Sequence, residues 1–156
     1  MFKNVSKNNQ KYVFLLEGKS MAGHYYRVEV FAPFDLVFKT LAKNFGNIYA
    51  NVFESKDSRI GIISGEEYFL RIDSDVAITI IVREKDEKTT IVESFSYAGG
   101  AGLMRISWGA HKDYAQRVIN FLYFKMKIKV KIIDDIDYFD VNKLPQDIKE
   151  KVSQYI

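Results

Sequence analysis

The chain has 156 residues, 47% hydrophobic and 28% charged, with no cysteine and a formal net charge of +3. This length suits one domain with a real core, and the composition excludes extensive disorder, disulfides, thiol nucleophiles and thiolate metal sites. A charge this small does not imply nucleic-acid binding without a clustered basic face, and no apolar run approaches the roughly 20 residues of a membrane span. A cytoplasmic protein is expected, since the opening residues MFKNVSKNNQ lack the apolar core of a signal peptide.

Residues 1–10 are polar and rich in Asn and Lys, the composition of a frayed end. Tyr12 to Leu16 reads as a short strand before a turn at Gly18. Tyr26, Val28 and Val30 then alternate with Arg27 and Glu29, as a half-buried strand requires. Pro33 ends that strand and suits the first turn of a helix, along which Phe34, Val37, Phe38, Leu41, Ala42 and Phe45 follow helical spacing until Gly46. Phe34, Val37, Phe38 and Leu41 are expected buried against the sheet, together with Val118 and Leu122 of the later long helix.

From Ile48 to Ala98 β-branched and aromatic residues take over, broken by turn clusters at Ser55 to Ser58, Ser64 to Glu66, Asp73 to Asp75 and Lys85 to Lys88. Four strands are expected here. The strongest is Val76 to Arg83, which returns through a charged turn along Thr89 to Tyr97 as a hairpin. If Val82 lies opposite Ile91, Glu93 falls opposite Ile80 on the apolar side, where a carboxylate must find a donor or take up a proton. A slip of one residue instead puts Val92, Ser94 and Ser96 on that side and Glu93 in solvent.

Gly99, Gly100, Ala101 and Gly102 form a tight connection into a long helix capped by Ser107, with Ala110, Tyr114, Ala115, Val118, Phe121 and Leu122 as its apolar stripe. Lys125, Lys127, Lys129 and Lys131 then alternate with Met126, Ile128, Val130 and Ile132, the period of a strand with one lysine face, expected at a sheet edge. Asp134, Asp135, Asp137 and Asp140 read as a solvated turn. Pro145 opens a short terminal helix with Ile148, Val152 and Ile156 on one side.

The stretch Val28-Glu29-Val30-Phe31-Ala32-Pro33-Phe34-Asp35-Leu36-Val37-Phe38-Lys39-Thr40-Leu41, a strand that ends at Ala-Pro and enters a helix with a Val-Phe pair, resembles the helix-grip arrangement of START and Bet v 1-like lipid- and ligand-binding proteins. The order of elements over residues 24 to 124 is similar too, and is shared with TATA-binding-protein-like folds generally. The resemblance implies a sheet gripping a long helix, with a ligand between them.

The expected fold is therefore a single α+β domain over residues 1–156. An antiparallel sheet packs in two layers against a long helix, in the order β-α-β(4)-α followed by a strand and a short helix, with residues 125–156 appended to the core. The two histidines, His24 and His111, are far apart in sequence and in no ligand spacing, so neither a metal site nor a cofactor is expected. No nucleophile elbow, P-loop or dinucleotide fingerprint is present. The leading functional reading is a non-catalytic module binding an apolar or amphipathic small molecule or a protein partner, with Glu93, Tyr97, Arg105 and Trp108 as candidate ligand contacts under the long helix. A nucleic-acid-associated protein using Lys125, Lys127, Lys129 and Lys131 is the first alternative, and an enzyme with a groove carboxylate the second.

Overall fold

The computed structural model describes residues 22–70, 74–98, 109–139 and 141–155. β1 (Ala22–Val30) leads through Pro33 into α1 (Phe34–Phe45), and β2 (Tyr49–Glu54), β3 (Arg59–Phe69), β4 (Ser74–Asp86) and β5 (Thr89–Ala98) follow, with β3, β4 and β5 each antiparallel to the strand before. α2 (Ala110–Asn120) runs on into a π-helical turn (Phe121–Lys125), β6 (Val130–Asp137) returns to the sheet, and a 3-10 turn (Val141–Lys143) precedes α3 (Gln146–Val152). The six strands form one open antiparallel sheet in the order β2-β3-β4-β5-β1-β6. The fold is α+β, and no helix among the described residues is long and apolar enough to cross a membrane.

Strand alternation decides what faces the helices. Val28 and Val30, Ile63, Val76, Ile78, Ile80, Val82 and Val92 share one side of the sheet and meet Phe34, Val37, Leu41 and Phe45 of α1 with Tyr114, Ala115, Val118 and Leu122 of α2 in a single core. The three- and four-residue spacing that predicted both helices is what lays these side chains on one stripe. Pro33 stands at the N-cap in an extended conformation, and the Gly46 amide closes α1 onto the Ala42 carbonyl at 3.0 Å. Phe38, expected in the core, is only half-buried. It stacks on Phe34 at 5.8 Å and covers Gly61 of β3.

The turn expected at Ser64 to Glu66 does not form, and β3 runs unbroken through it. Gly65 is required there by crowding: a Cβ would stand 1.9 Å from the Phe45 carbonyl oxygen at the end of α1. The strand expected from Lys125 is also corrected. Phe121 and the buried Leu122 extend the apolar stripe, so the chain stays helical to Lys125. The Met126 amide then bonds the Phe121 carbonyl, Lys127 takes a left-handed φ of 56°, and the buried Ile128 seats the exit. Of the four lysines only Lys131 lies in a strand.

The acidic segment is strand rather than turn. Aspartate is a poor strand former, but here β1 supplies partners across the ladder: Arg27 Nε donates to Asp134 at 2.6 Å, and His24 meets Asp135 and Asp137. A register shift between Arg27 and Val28 leaves Ile133 as the extra residue of a bulge. β6 lies at the sheet edge, as expected for the strand after the long helix. The predicted strand at Tyr12 to Leu16, the glycine run Gly99 to Gly102, the Ser107 cap and Asp140 lie outside the described residues.

Candidate functional site

Tyr114, Arg117, Phe121 and Phe124 recur at three- and four-residue steps, so they form one flank of α2 and its π-helical continuation. α1 ends beside that flank with Asn44 and Phe45, Glu67 of β3 closes one end, and the space between is a groove of about 440 Å³. Its floor is aromatic. Phe45 meets Phe121 edge-on at 5.8 Å and Tyr114 at 6.4 Å, and the Tyr114 ring lies 5.9 Å from Phe69. The rim is polar, carrying Lys125, Asn120 and Arg117, whose guanidinium sits 5.0 Å over the Phe69 ring and pairs with Glu67. Burial pushes the Tyr114 hydroxyl up to about 12, with Glu67 adding and Arg117 opposing, so the phenol stays neutral at physiological pH. π-helical turns occur frequently at functional sites, and this one supplies Phe121, Phe124 and Lys125.

Of the residues singled out from sequence, Lys125 lines the groove, while Glu93 and Tyr97 lie elsewhere. The β4–β5 register is the slipped alternative, with Val92 opposite Val82, Ser94 opposite Ile80 and Ser96 opposite Ile78. A two-residue turn at Glu87 and Lys88 and a register shift between Glu84 and Asp86 set it. Glu93 therefore faces away from the helices, yet it is not in solvent. Tyr25 Oη donates to Glu93 Oε1 at 2.7 Å in buried surroundings, and Arg83 reaches Oε2 at 3.0 Å. Burial, and then the hydrogen bond to Glu93, pushes the Tyr25 hydroxyl well above its ordinary value. Tyr97, a candidate contact beside Glu93, is exposed on that same outer side of the sheet, while Arg105 and Trp108 lie outside the described residues. Small hydroxyls occupy the helix side instead, where Ser96 Oγ donates to the His111 carbonyl and Tyr26 Oη donates to Gln116 at 2.7 Å.

The four lysines do not form the face of one strand. Lys125 ends the π-helical turn at the groove, Lys127 is in the left-handed exit, and Lys129 places its ammonium 5.0 Å over the Phe31 ring.

The fold does unite the two histidines, which no spacing in the sequence pairs. His24 of β1 and His111 in the first turn of α2 are both buried and both face Asp137 at the end of β6; the donor atoms of all three lie within 4.8 Å of one another, close enough to share a cation. Partial burial pushes the Asp137 carboxyl up, but its contacts with the His111 and His24 imidazoles and the hydrogen bond from the Tyr138 amide outweigh it and hold it down at about 2. The period of β1 already placed His24 in phase with Tyr26 and Val28 on the helix side. The pairing of β1 with β6, which brings in Asp137, had no sequence signal. The chain matches no protein-family model and no curated protein sequence.

Proposed function

We propose that this chain is a two-layer, non-catalytic binding module that takes a small amphipathic molecule with an anionic head group in the groove beside the long helix. The observation that carries the reading is the juxtaposition of an aromatic floor, Phe45, Tyr114 and Phe121, with the cations Arg117 and Lys125 at its rim. A volume near 440 Å³ falls within the span of small-molecule sites. An apolar body gains by covering the rings, and a carboxylate or sulfonate head gains most from Arg117, whose planar fork can serve it while still touching Glu67. The one carboxylate of the groove, Glu67, is paired with Arg117, and the buried groups Glu93, His24 and His111 are not among the groove residues, which supports a binding rather than a catalytic reading. The strand-Ala-Pro-helix junction and the element order support a helix-grip kinship for the same reading. A phosphate-tracking strand needs several cations on one face, and β6 carries Lys131 alone.

Decanoate and 8-anilinonaphthalene-1-sulfonate are suitable probes. Saturable one-to-one binding is expected, with amide shifts confined to residues 44–45, 67 and 114–125. Phe124→Asp and Lys125→Glu, both at exposed positions, should each weaken binding about tenfold, equivalent to about 1.4 kcal/mol, while Phe53→Asp on the distant edge strand β2 should not. Decanoate shifts scattered over the surface, or equal binding by all variants, would remove the groove from consideration.

A further inference from the structure

The polar cluster at the other end of α2 carries an inference independent of the groove. His24 presents Nδ1 to Asp137 Oδ1 at 3.1 Å and Nε2 to Asp135 Oδ1 at 2.6 Å; His111 presents Nε2 to the same Asp137 oxygen at 3.0 Å, and the Tyr138 amide donates to that oxygen as well. Three elements distant in sequence therefore converge on one oxygen atom. The imidazoles are almost fully buried, at 0% and 3% exposure, while Asp137 and Asp135 are 43% and 47% exposed, so the cluster is walled by protein on the histidine side and open to solvent on the carboxylate side.

The hydrogen-bond arithmetic is what points beyond a structural network. A carboxylate is an acceptor only, and a neutral imidazole has one donor and one acceptor nitrogen. His24 has carboxylates at both nitrogens. With its Nε2 proton given to Asp135 across the shorter contact, its Nδ1 lone pair aims at the Asp137 oxygen, an arrangement that needs either a second proton or a cation between them. The spacings are those of hydrogen bonds and equally admit a cation. An ion held about 2.0–2.1 Å from each donor sets neighbouring donors about 3.0 Å apart in an octahedral shell and about 3.4 Å apart in a tetrahedral one, and two of the three donor separations here are 3.0 and 3.1 Å.

We propose that His24 Nδ1, His111 Nε2 and Asp137 Oδ1 bind one divalent transition-metal ion of the zinc class, with Asp135 holding the His24 ring from behind. A carboxylate on the far nitrogen of a ligating histidine fixes its tautomer and orientation, the place Asp135 occupies. Two imidazoles and one carboxylate favour zinc, cobalt, nickel or iron(II) over magnesium and calcium, which require mostly oxygen donors. The remaining coordination positions face the solvent side, where water or an anionic ligand completes the shell. Because α2, β1 and β6 each contribute, the ion also fastens the sheet edge to the helix.

The test uses the full chain freed of metal by a chelator and then titrated with Co2+, followed by competition with Zn2+. One Co2+ per chain is expected, with the visible absorption of a nitrogen- and oxygen-ligated ion, displaced by Zn2+, and with a raised melting temperature. Asp137→Asn, at a partly exposed position and with its fold checked by circular dichroism against the parent, should lose the absorption; Asp135→Asn should weaken binding about 10- to 100-fold, the usual effect of losing an outer partner. Asp147→Asn, on α3, should bind as the parent does. Absence of Co2+ uptake by the parent chain, or uptake unchanged in Asp137→Asn, overturns the assignment.

Discussion

At the scale of single residues, two glycines of β3 separate crowding by backbone from crowding by side chain. A Cβ at Gly65 would meet the Phe45 carbonyl oxygen at 1.9 Å, and α1 would have to lift to admit it; a Cβ at Gly61 would meet the Phe38 ring at 2.3 Å, and that half-buried ring can turn aside. Gly65→Ala should therefore destabilise by about 3 kcal/mol and Gly61→Ala by about 1, within the ordinary range for overpacking. Denaturant midpoints of the two variants decide it, and a Gly61→Ala effect as large as that of Gly65→Ala would show that Phe38 is as fixed as the backbone. From sequence Gly65 looked like turn punctuation, because Ser64, Gly65 and Glu66 together carry turn composition. What the letters could not show is that the end of α1 crosses this strand so closely that only a hydrogen fits.

At the scale of elements, legibility followed how exclusively a pattern belonged to one period. The valines of β1 and the phenylalanine and leucine spacing of α1 fit only one, and both elements form where expected. Lys125 to Ile132 fits period 2 perfectly and is nonetheless half helix and exit, because the burial of Leu122 and Ile128, a tertiary matter, outweighs local alternation. β6 is held by its ladder with β1, and ion pairs that no period encodes tie β6 and α3 to that strand. Arg27 joins them: Nε reaches Asp134 and the two terminal nitrogens reach Asp147 at 2.7 and 3.0 Å. The Arg27 guanidinium holds the Asp147 carboxyl below its ordinary value of 3.8. A carboxylate lowered by folding contributes stability that is fully present above the unfolded value and is lost as pH falls through the lowered one. The exposure of Asp147 keeps that contribution small. Relative to the intrinsic rate, hydrogen exchange of α3 amides should thus be flat above about pH 5 and accelerate as the pH is lowered further. In Asp147→Asn the protection should be weaker at pH 7 and lack that step; a step retained in the variant would assign the tether to another acid.

At the scale of the whole molecule, the sheet has two unlike edges. β6 is interrupted by a bulge and bristles with aspartates, whereas β2 exposes Tyr49 and Phe53 and carries neither proline nor lysine. Between them the strand order has a temporal meaning. β2, β3, β4 and β5 each pair with a neighbour in sequence, so their closure spans short loops, but β1 joins the sheet only by reaching β5 at one flank and β6 at the other, residues 90–98 and 130–137. Loop-closure entropy makes such distant pairings late. Refolding should therefore begin in the β2–β5 meander with α1 collapsing on it, and β1 should be the strand inserted last, carrying β6 with it. In stopped-flow chevrons, Ile80→Val in β4 should chiefly slow folding, while Val28→Ala in β1 should chiefly speed unfolding. If Val28→Ala slows folding as much, β1 is in the nucleus. The first described strand of the chain would then be the last to arrive only on paper; with the expected result, a chain emerging from the ribosome holds β1 unpaired until β5 has been made, and completes the His24 cluster only after Asp137.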